Sequence, residues 1–314
     1  MPNLIALVTR LDQVEEDAWF AALTAAMSGE SLASFRTLDP SRRPEVEIAI
    51  VANPDPADVA GLPNLALVQS LWAGIEQLVS ELGPSAPPIV RMVDPEMART
   101  MSEAVLAWML YLQRDMPAYA RQQRERVWRP RSYRKPSDMT VGLLGLGALG
   151  AASAHRLTQA GFRVVGWSRS PKQLPGVEPF AGEEGLATLL GISDVVVCLI
   201  PLTSETRGLL NARRFAQVKP GAALINFARG PIVIAPDLLA ALDSGRLSHA
   251  VLDVFDEEPL PAASPFWSHP NVTVLPHISA TTDRESAAKV VADNIGQYRC
   301  GERITGMIDA SRGY

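Results

Sequence analysis

The run Gly145-Leu146-Gly147-Ala148-Leu149-Gly150 constrains this chain more than any other feature, because of what stands on either side of it. An apolar segment, 140–144, precedes it directly and a helical pattern, 148–160, opens within it, so a buried strand, a glycine turn and a helix follow in immediate succession. In that setting each glycine has its own physical duty. The first permits a tight turn, the second lets the backbone approach a pyrophosphate, and the third lets helix and strand pack closely. Free amides and the dipole at the helix N-terminus then favour negative charge. Gly145, Gly147, Ala148, Leu149 and Gly150 are therefore read as a dinucleotide cradle, with a ligand-free glycine turn as the plainer alternative.

The second strand of such a unit, here 163–167, ordinarily ends in an Asp or Glu that binds the ribose hydroxyls. No acid occurs between Ala151 and Val177. The strand runs instead into Trp167-Ser168-Arg169-Ser170, with Lys172 close behind, a set of hydroxyls and cations suited to a 2′-phosphate through charge-assisted hydrogen bonds. NADPH is expected over NADH. Reading Arg169 and Lys172 as solvated surface charges leaves the missing acid unexplained.

The 314 residues exceed the roughly 250–300 at which a single core stops growing, so two packed units are expected. Apolar runs at 4–9, 46–52, 65–70 and 88–93 alternate with helical patterns such as 13–27, and a long helical stretch follows over 95–115. Six further strands are expected at 140–144, 163–167, 195–199, 222–226, 250–254 and 272–275, again separated by helices. Such alternation, with strands rich in Val, Leu and Ile, implies an α/β chain with doubly wound parallel sheets. Two Rossmann-like or flavodoxin-like domains are expected, with the active site in the interdomain cleft. The last helix, 283–297, is expected to return to the first unit. That gives a substrate-binding domain of residues 1–99 and 285–314 around a dinucleotide-binding domain of residues 100–284.

Composition excludes several classes. With 47% hydrophobic and 20% charged residues the chain leaves little room for large-scale disorder. A net charge of −5 argues against a surface built to grip nucleic acid or anionic lipid, though it permits a local cationic pocket. Two cysteines, Cys198 and Cys300, are too few for a disulfide framework or a four-cysteine zinc site, so no metal is expected and a reducing cytoplasm is the expected compartment. The apolar run at 4–8 lacks a basic segment before it and reads as a first strand rather than a signal peptide, and no segment is suited to spanning a membrane.

Imidazole chemistry near neutral pH must choose among His155, His249, His269 and His277. Three further motifs place one of them in company. Ile225-Asn226-Phe227-Ala228-Arg229-Gly230, Leu252-Asp253-Val254-Phe255-Asp256-Glu257-Glu258-Pro259-Leu260-Pro261 and Leu275-Pro276-His277-Ile278-Ser279-Ala280 each come at or just beyond the C-terminal end of an expected strand. Ligands of open α/β sheets bind at those ends, so Arg229, Glu258 and His277 can converge on one crevice. The plainer alternatives are an ion-pair role for Arg229, a solvated loop acid for Glu258 and a core imidazole for His277.

With these motifs in this order, the sequence resembles the D-isomer-specific 2-hydroxyacid dehydrogenase family from Leu71-Trp72-Ala73-Gly74 to the final helix. Cys198-Leu199-Ile200-Pro201-Leu202-Thr203 with Thr206 matches that family's cofactor-lining segment, and Trp72 together with Trp167-Ser168-Arg169-Ser170 is similar to its glyoxylate/hydroxypyruvate reductases. The resemblance implies that Leu199, Ile200, Pro201, Thr206, Phe227, Ala228, Asp253, Ser279 and Ala280 also face the cofactor, Asp253 at its nicotinamide end. It implies that Trp72, the Ala73 and Gly74 amides and Arg229 bind substrate. Arg229 would offer a planar fork to a carboxylate. His277 would be the general acid, and Glu258 would orient its ring and stabilise the charged form. The implied reaction is NADPH-dependent reduction of a small 2-oxo acid, glyoxylate to glycolate or hydroxypyruvate to glycerate. A bulkier acid such as phenylpyruvate and a non-enzymatic NAD(P)H-sensing scaffold stay open, the complete Arg-Glu-His set favouring an enzyme.

Seven of the 29 basic residues fall between Arg121 and Lys135, interleaved with Trp128 and Tyr133. No nucleic-acid recognition motif accompanies them, so a solvated helix face is expected. Family members dimerise through an arm that follows this junction, which implies a homodimer.

Overall fold

Each apolar run of the N-terminal third forms a strand, and the strands pair side by side in one direction. A computed structural model of the chain describes residues 4–83 and 85–308. The chain divides into two units, Met1–Glu96 with Thr282–Tyr314, and Met97–Thr281. The expected joins at 99 and 285 fall three residues earlier at each crossing, and residues 309–314 of the expected first domain lie outside the described ones.

The first unit opens with β1 (Leu4–Thr9), α1 (Gln13–Ala26), β2 (Leu32–Ser34), β3 (Val46–Ala52), α2 (Pro56–Ala60), β4 (Leu67–Ser70), α3 (Glu76–Leu82) and β5 (Ile89–Val90). Its parallel sheet has the order β2-β1-β3-β4-β5. Strands β1 and β3 are buried almost throughout, which is why they read as continuous apolar runs. Edge strand β2 is only half-buried and carries no such run, so local pattern did not disclose it.

The second unit contains α4 (Pro95–Gln113), α5 (Met116–Glu125), β6 (Thr140–Leu144), α6 (Ala148–Gln159), β7 (Arg163–Ser168), β8 (Val177–Ala181), α7 (Gly182–Ile192), β9 (Val195–Cys198), α8 (Ala212–Gln217), β10 (Ala222–Asn226), α9 (Ala235–Asp243), β11 (Leu247–Leu252) and β12 (Val272–Val274). All neighbours in its seven-stranded sheet, β12-β11-β10-β9-β6-β7-β8, are parallel. The period of two sends alternate side chains into separate cores: Val195 and Val197 join Val105 and Leu157, whereas Val196 and Cys198 join Leu189 and Leu238. Helices thus cover both faces, as a doubly wound sheet requires. Strand β8 escaped the sequence reading because Pro179 and Glu178 interrupt it, and an edge position tolerates both.

Helix α10 (Arg284–Arg299) returns to the first unit. Asp283 caps it by accepting from the Ser286 amide at 2.8 Å, and buried Asn294 donates to the Gln69 side chain on β4 at 2.9 Å. Arg299 near its end pairs with Glu30 and Glu47.

The basic segment departs from expectation. Helix α5 ends at Glu125, Arg126 takes a left-handed conformation (φ 57°), and most of the segment is irregular rather than a helix face. Several of its charges have intramolecular duties: Arg121 donates to Asn271 at 3.0 Å, Arg131 pairs with Asp115 at 3.0 Å and Arg134 with Asp194 at 2.9 Å. Trp128 stands 98% exposed among them.

Candidate active site

Strand order decides which loops become neighbours. At the C-terminal edge of the seven-stranded sheet the loops follow one another as His277 after β12, Asp253 and Glu258 after β11, Arg229 after β10, Leu199–Pro201 after β9, the glycine turn after β6 and Trp167–Lys172 at the end of β7. The connections change direction between β6 and β9, the switch point at which such sheets bind ligands.

At that point the glycine turn is closed behind and open in front. Gly145 adopts φ +103° and donates to the Trp167 carbonyl at 2.9 Å. A Cβ on Gly150 would fall 1.9 Å from the Gly145 carbonyl oxygen, so the first turn of α6 fits against the loop only without a side chain. Gly147 caps α6 with no side-chain bond, and a Cβ there would meet nothing within 4 Å. Bare amides at a helix N-terminus with clear space before them fit a pyrophosphate. The Leu199 backbone carbonyl packs on Gly145, and Thr206 Oγ1 secures the following turn by donating to the Pro201 carbonyl at 2.7 Å.

The four residues expected to hold a 2′-phosphate are gathered beside this turn. Ser168 Oγ donates to the Ser170 carbonyl at 2.7 Å, and Trp167 Nε1 to the Gly182 carbonyl at 2.9 Å. Lys172 Nζ is turned back onto the Leu146 carbonyl at 2.5 Å, while Arg169 reaches Glu205 at 3.5 Å.

The opposite end carries the acid-base groups. Glu258 Oε1 accepts from the Phe255 amide at 2.8 Å and its Oε2 from His277 Nδ1 at 2.7 Å, so one carboxylate is fixed by backbone and fixes the imidazole in turn. Nε2 is left as the face for chemistry on a ring that is half exposed. Asp256 and Glu257, the other acids of the run, line a cavity of about 350 Å³ with Leu238, Leu252, Phe255 and Phe266. His277 itself has φ 55°, a left-handed conformation that costs a non-glycine residue energy and is kept where surroundings over-determine it. Asp253, 2% exposed, does this: Oδ1 accepts from the Ile278 amide and Oδ2 from the Ser279 amide, both at 2.8 Å. Asp253 thus has a positioning task beside the nicotinamide contact expected of it, since each of its oxygens accepts one backbone amide and keeps a lone pair for a further donor.

Arg229 is half-buried and donates from Nη1 to the Ala228 carbonyl at 2.6 Å. Its loop is held by Asn226, whose Nδ2 donates to the Arg229 carbonyl at 3.1 Å and whose Oδ1 accepts from Ala228 at 3.2 Å. A Cβ on Gly230 would lie 2.0 Å from the Phe255 carbonyl carbon, so this glycine lets the Arg229 loop press against the loop that carries Glu258. The sequence reading named neither task; a buried Asn at a strand end and a glycine directly after the arginine were the available signals. Phe227 and Ala228 are buried, as is Ser279, whose hydroxyl has no hydrogen-bond partner among the described residues. Ala280 is half-buried.

Trp72, Ala73 and Gly74 lie in the other unit. Trp72 is held through its backbone, donating to Ser70 Oγ and accepting from Met92, each at 3.0 Å, and its ring stands edge-on to Trp19 at 5.9 Å. Neither the Ala73 nor the Gly74 amide has an acceptor among the described residues.

The remaining candidates fall away on chemistry. Burial, then the charges of Arg121 and His269, push His249 down to about 4, so it is neutral at physiological pH. Burial pushes the Cys198 thiol up to about 12. No cluster of three or more His, Cys, Asp or Glu able to hold a metal occurs among the described residues, and none of their helices is long and apolar enough to cross a membrane.

A doubly wound sheet with a glycine cradle over its middle and an Arg, a Glu and a His over one flank defines a dinucleotide-dependent oxidoreductase. Residues 106–279 match the D-isomer specific 2-hydroxyacid dehydrogenase, NAD binding domain. The glyoxylate/hydroxypyruvate reductase A of Yersinia enterocolitica is 37% identical over 306 residues, 96% of this chain and 97% of that protein. Among solved structures, a D-isomer specific 2-hydroxyacid dehydrogenase from Xanthobacter autotrophicus Py2, in complex with NADPH and MES, superposes with a TM-score of 0.93 at 41% identity over all of both chains. An NADPH-dependent glyoxylate/hydroxypyruvate reductase from Sinorhizobium meliloti, in complex with NADP and sulfate, gives 0.90 at 33% identity over 99% of this chain and all of that one. The chain belongs to the D-isomer-specific 2-hydroxyacid dehydrogenase family.

Proposed function

We propose that the chain is an NADPH-dependent reductase of small 2-oxo acids, with glyoxylate and hydroxypyruvate as substrates. The observation that carries this reading is the chain of bonds from the Phe255 amide through Glu258 to His277 Nδ1, which leaves Nε2 as a directed proton donor. The Yersinia and Sinorhizobium relatives, both reductases of these two acids, support the substrate class.

When bound in the cradle, NADPH would supply the hydride that the carbonyl carbon receives. Gly145, Gly147 and Gly150 would seat its pyrophosphate, and Ser168, Arg169, Ser170 and Lys172 its 2′-phosphate. The orphaned Ser279 hydroxyl beside His277 offers a further polar contact. As the carbonyl bond opens, His277 Nε2 gives its proton to the oxygen, so the aldehyde of glyoxylate or the ketone of hydroxypyruvate becomes an alcohol with one hydride and one proton consumed. The imidazole then regains its proton from solvent, which its half-exposed ring can reach. Arg229 holds the substrate carboxylate through its donor fork and stabilises the developing charge. The Ala73 and Gly74 amides, without an acceptor among the described residues, are assigned to substrate binding. Free thiols at Cys198 and Cys300 suit a cytoplasmic enzyme, and the exposed Trp128 and Tyr133 suit a homodimer contact.

Turnover of glyoxylate, hydroxypyruvate, pyruvate and phenylpyruvate by the wild type and His277→Ala tests the reading. The variant is expected to lose about 10²–10⁴-fold in kcat while still binding NADPH. Near-normal turnover by His277→Ala, or a preference for phenylpyruvate, would overturn it.

A further inference from the structure

The Arg169–Glu205 pair lies at the surface, inside the group assigned to the cofactor. Arg169 emerges at the end of β7, within the group assigned to the 2′-phosphate, and its guanidinium lies 3.5 Å from the Glu205 carboxylate with both side chains well exposed. Glu205 does not reach Arg169 from a loose loop. Its turn is secured by Thr206 Oγ1, which donates to the Pro201 carbonyl at 2.7 Å and accepts from the Thr203 amide at 2.8 Å, and by Arg207, whose amide donates to the Thr203 carbonyl at 3.0 Å. The same turn follows directly on Leu199–Pro201, the segment packed on the glycine loop. A carboxylate carried on a secured turn therefore faces the arginine across the end of the cradle where the adenosine ribose would lie.

The cations of this cluster are not equivalent. Lys172 Nζ already serves the Leu146 carbonyl at 2.5 Å, which ties it to the glycine turn. Arg169 is the long cation whose planar fork matches a phosphate, and Glu205 is an anion that faces it.

We propose that Glu205 is a specificity-determining residue that competes with the cofactor 2′-phosphate for Arg169. It holds the guanidinium extended in the empty enzyme and yields it when the phosphate arrives, which sets a ceiling on the preference for NADPH over NADH. NADH brings only a hydroxyl to this position and has no need to displace the carboxylate. Glu205 therefore lowers NADPH affinity and leaves NADH affinity nearly unaltered. Because the ion pair is solvent-exposed, the effect is modest, about two- to fivefold in Kd, and it shrinks as salt screens both partners. The inference rests on the NADPH reading above and adds a residue to it.

The test is direct binding of each reduced cofactor, followed by its fluorescence, to the wild type, Glu205→Gln, Arg169→Ala and the double variant. Glu205→Gln is expected to bind NADPH about two- to fivefold more tightly at low salt with NADH little altered, and that gain is expected to vanish in the Arg169→Ala background. Unchanged or weaker NADPH binding by Glu205→Gln, an equal gain for both cofactors, or a gain that persists in full without Arg169 would each overturn the inference. A wild type that binds NADH as tightly as NADPH would overturn the NADPH reading and this inference with it. An NADPH-preferring wild type whose Glu205→Gln variant shows no gain would overturn this inference alone.

Discussion

His277 is placed in a conformation that disfavours it, and two carboxylates keep it there. Asp253 fixes the backbone on the C-terminal side of His277, and Glu258 fixes the ring. The left-handed φ of 55° costs of order 1–3 kcal/mol, which the two charge-assisted bonds from the Ile278 and Ser279 amides to buried Asp253 can offset. Glu258 is the more instructive residue to remove, since it touches the imidazole without sharing its strain. Glu258→Ala leaves the Phe255 amide and His277 Nδ1 without their acceptor. Its kcat is expected to fall on the order of 10²-fold, with NADPH affinity held within about twofold, because in the proposed mechanism the carboxylate orients the donor and has no place in the cradle. Steady-state kinetics alongside cofactor titration separates the two quantities; a parallel loss of both would assign Glu258 to the fold instead.

Among the elements, the junction of β6, the glycine turn and α6 shows how closely one loop can combine support and binding. Gly150 and Gly147 sit three residues apart with opposite surroundings. Gly150→Ala drives a methyl to 1.9 Å from the Gly145 carbonyl oxygen, and α6 must shift to admit it. A loss of roughly 1–3 kcal/mol in stability is expected, measured by urea unfolding. Gly147→Ala adds a methyl to open space, so stability is expected to stay within about 0.5 kcal/mol of the wild type. The same methyl faces the place assigned to the pyrophosphate, and NADPH binding is expected to weaken by about tenfold or more, since backbone can no longer approach the ligand. Loss of stability without loss of binding at Gly147 would show that this glycine serves the turn alone.

Across the molecule, the seven-stranded sheet has a second polar cluster away from the cradle. His249 on β11 bonds Thr273 on β12 at 2.9 Å, His269 bonds Asp243 at 3.2 Å, Arg121 on α5 bonds Asn271, and the Tyr111 ring of α4 lies 6.3 Å from that of His249. Burial, aided by Arg121 and His269, holds His249 at about 4, against an ordinary 6.5. Above 6.5 the residue is neutral in folded and unfolded chains alike, and this site makes no demand. As pH falls toward 4 the unfolded chain takes up a proton that the folded one refuses, so stability is lost through that window. About 2 kcal/mol is expected to disappear between pH 7 and pH 5. His249→Gln is expected to flatten that part of the curve of urea midpoint against pH; an unaltered slope would assign the acid sensitivity to other groups.

Near neighbours in the chain determined a great deal here. The parallel strands are apolar because both their faces are covered, the third glycine packs on the first five residues earlier, and the acid missing between Ala151 and Val177 pointed to a 2′-phosphate, all of it visible in local pattern. Arg229, Glu258 and His277 stood out as candidates for the same reason, as polar residues set just past buried strands, and the last two meet. Tertiary structure decided which acid of Asp256-Glu257-Glu258 meets the imidazole, set Asp253 to hold the Ile278 and Ser279 amides, ended α5 at Glu125, and set Glu205 against Arg169. It also added β2 and β8, which have little apolar periodicity because they lie at sheet edges. The physical reason is common to the site pairings. Asp253 and Ser279 are 26 positions apart and Arg169 and Glu205 are 36, so each pair meets only because the strand order lays their loops side by side. Strand order is a property of the packed sheet, and no window of sequence contains it.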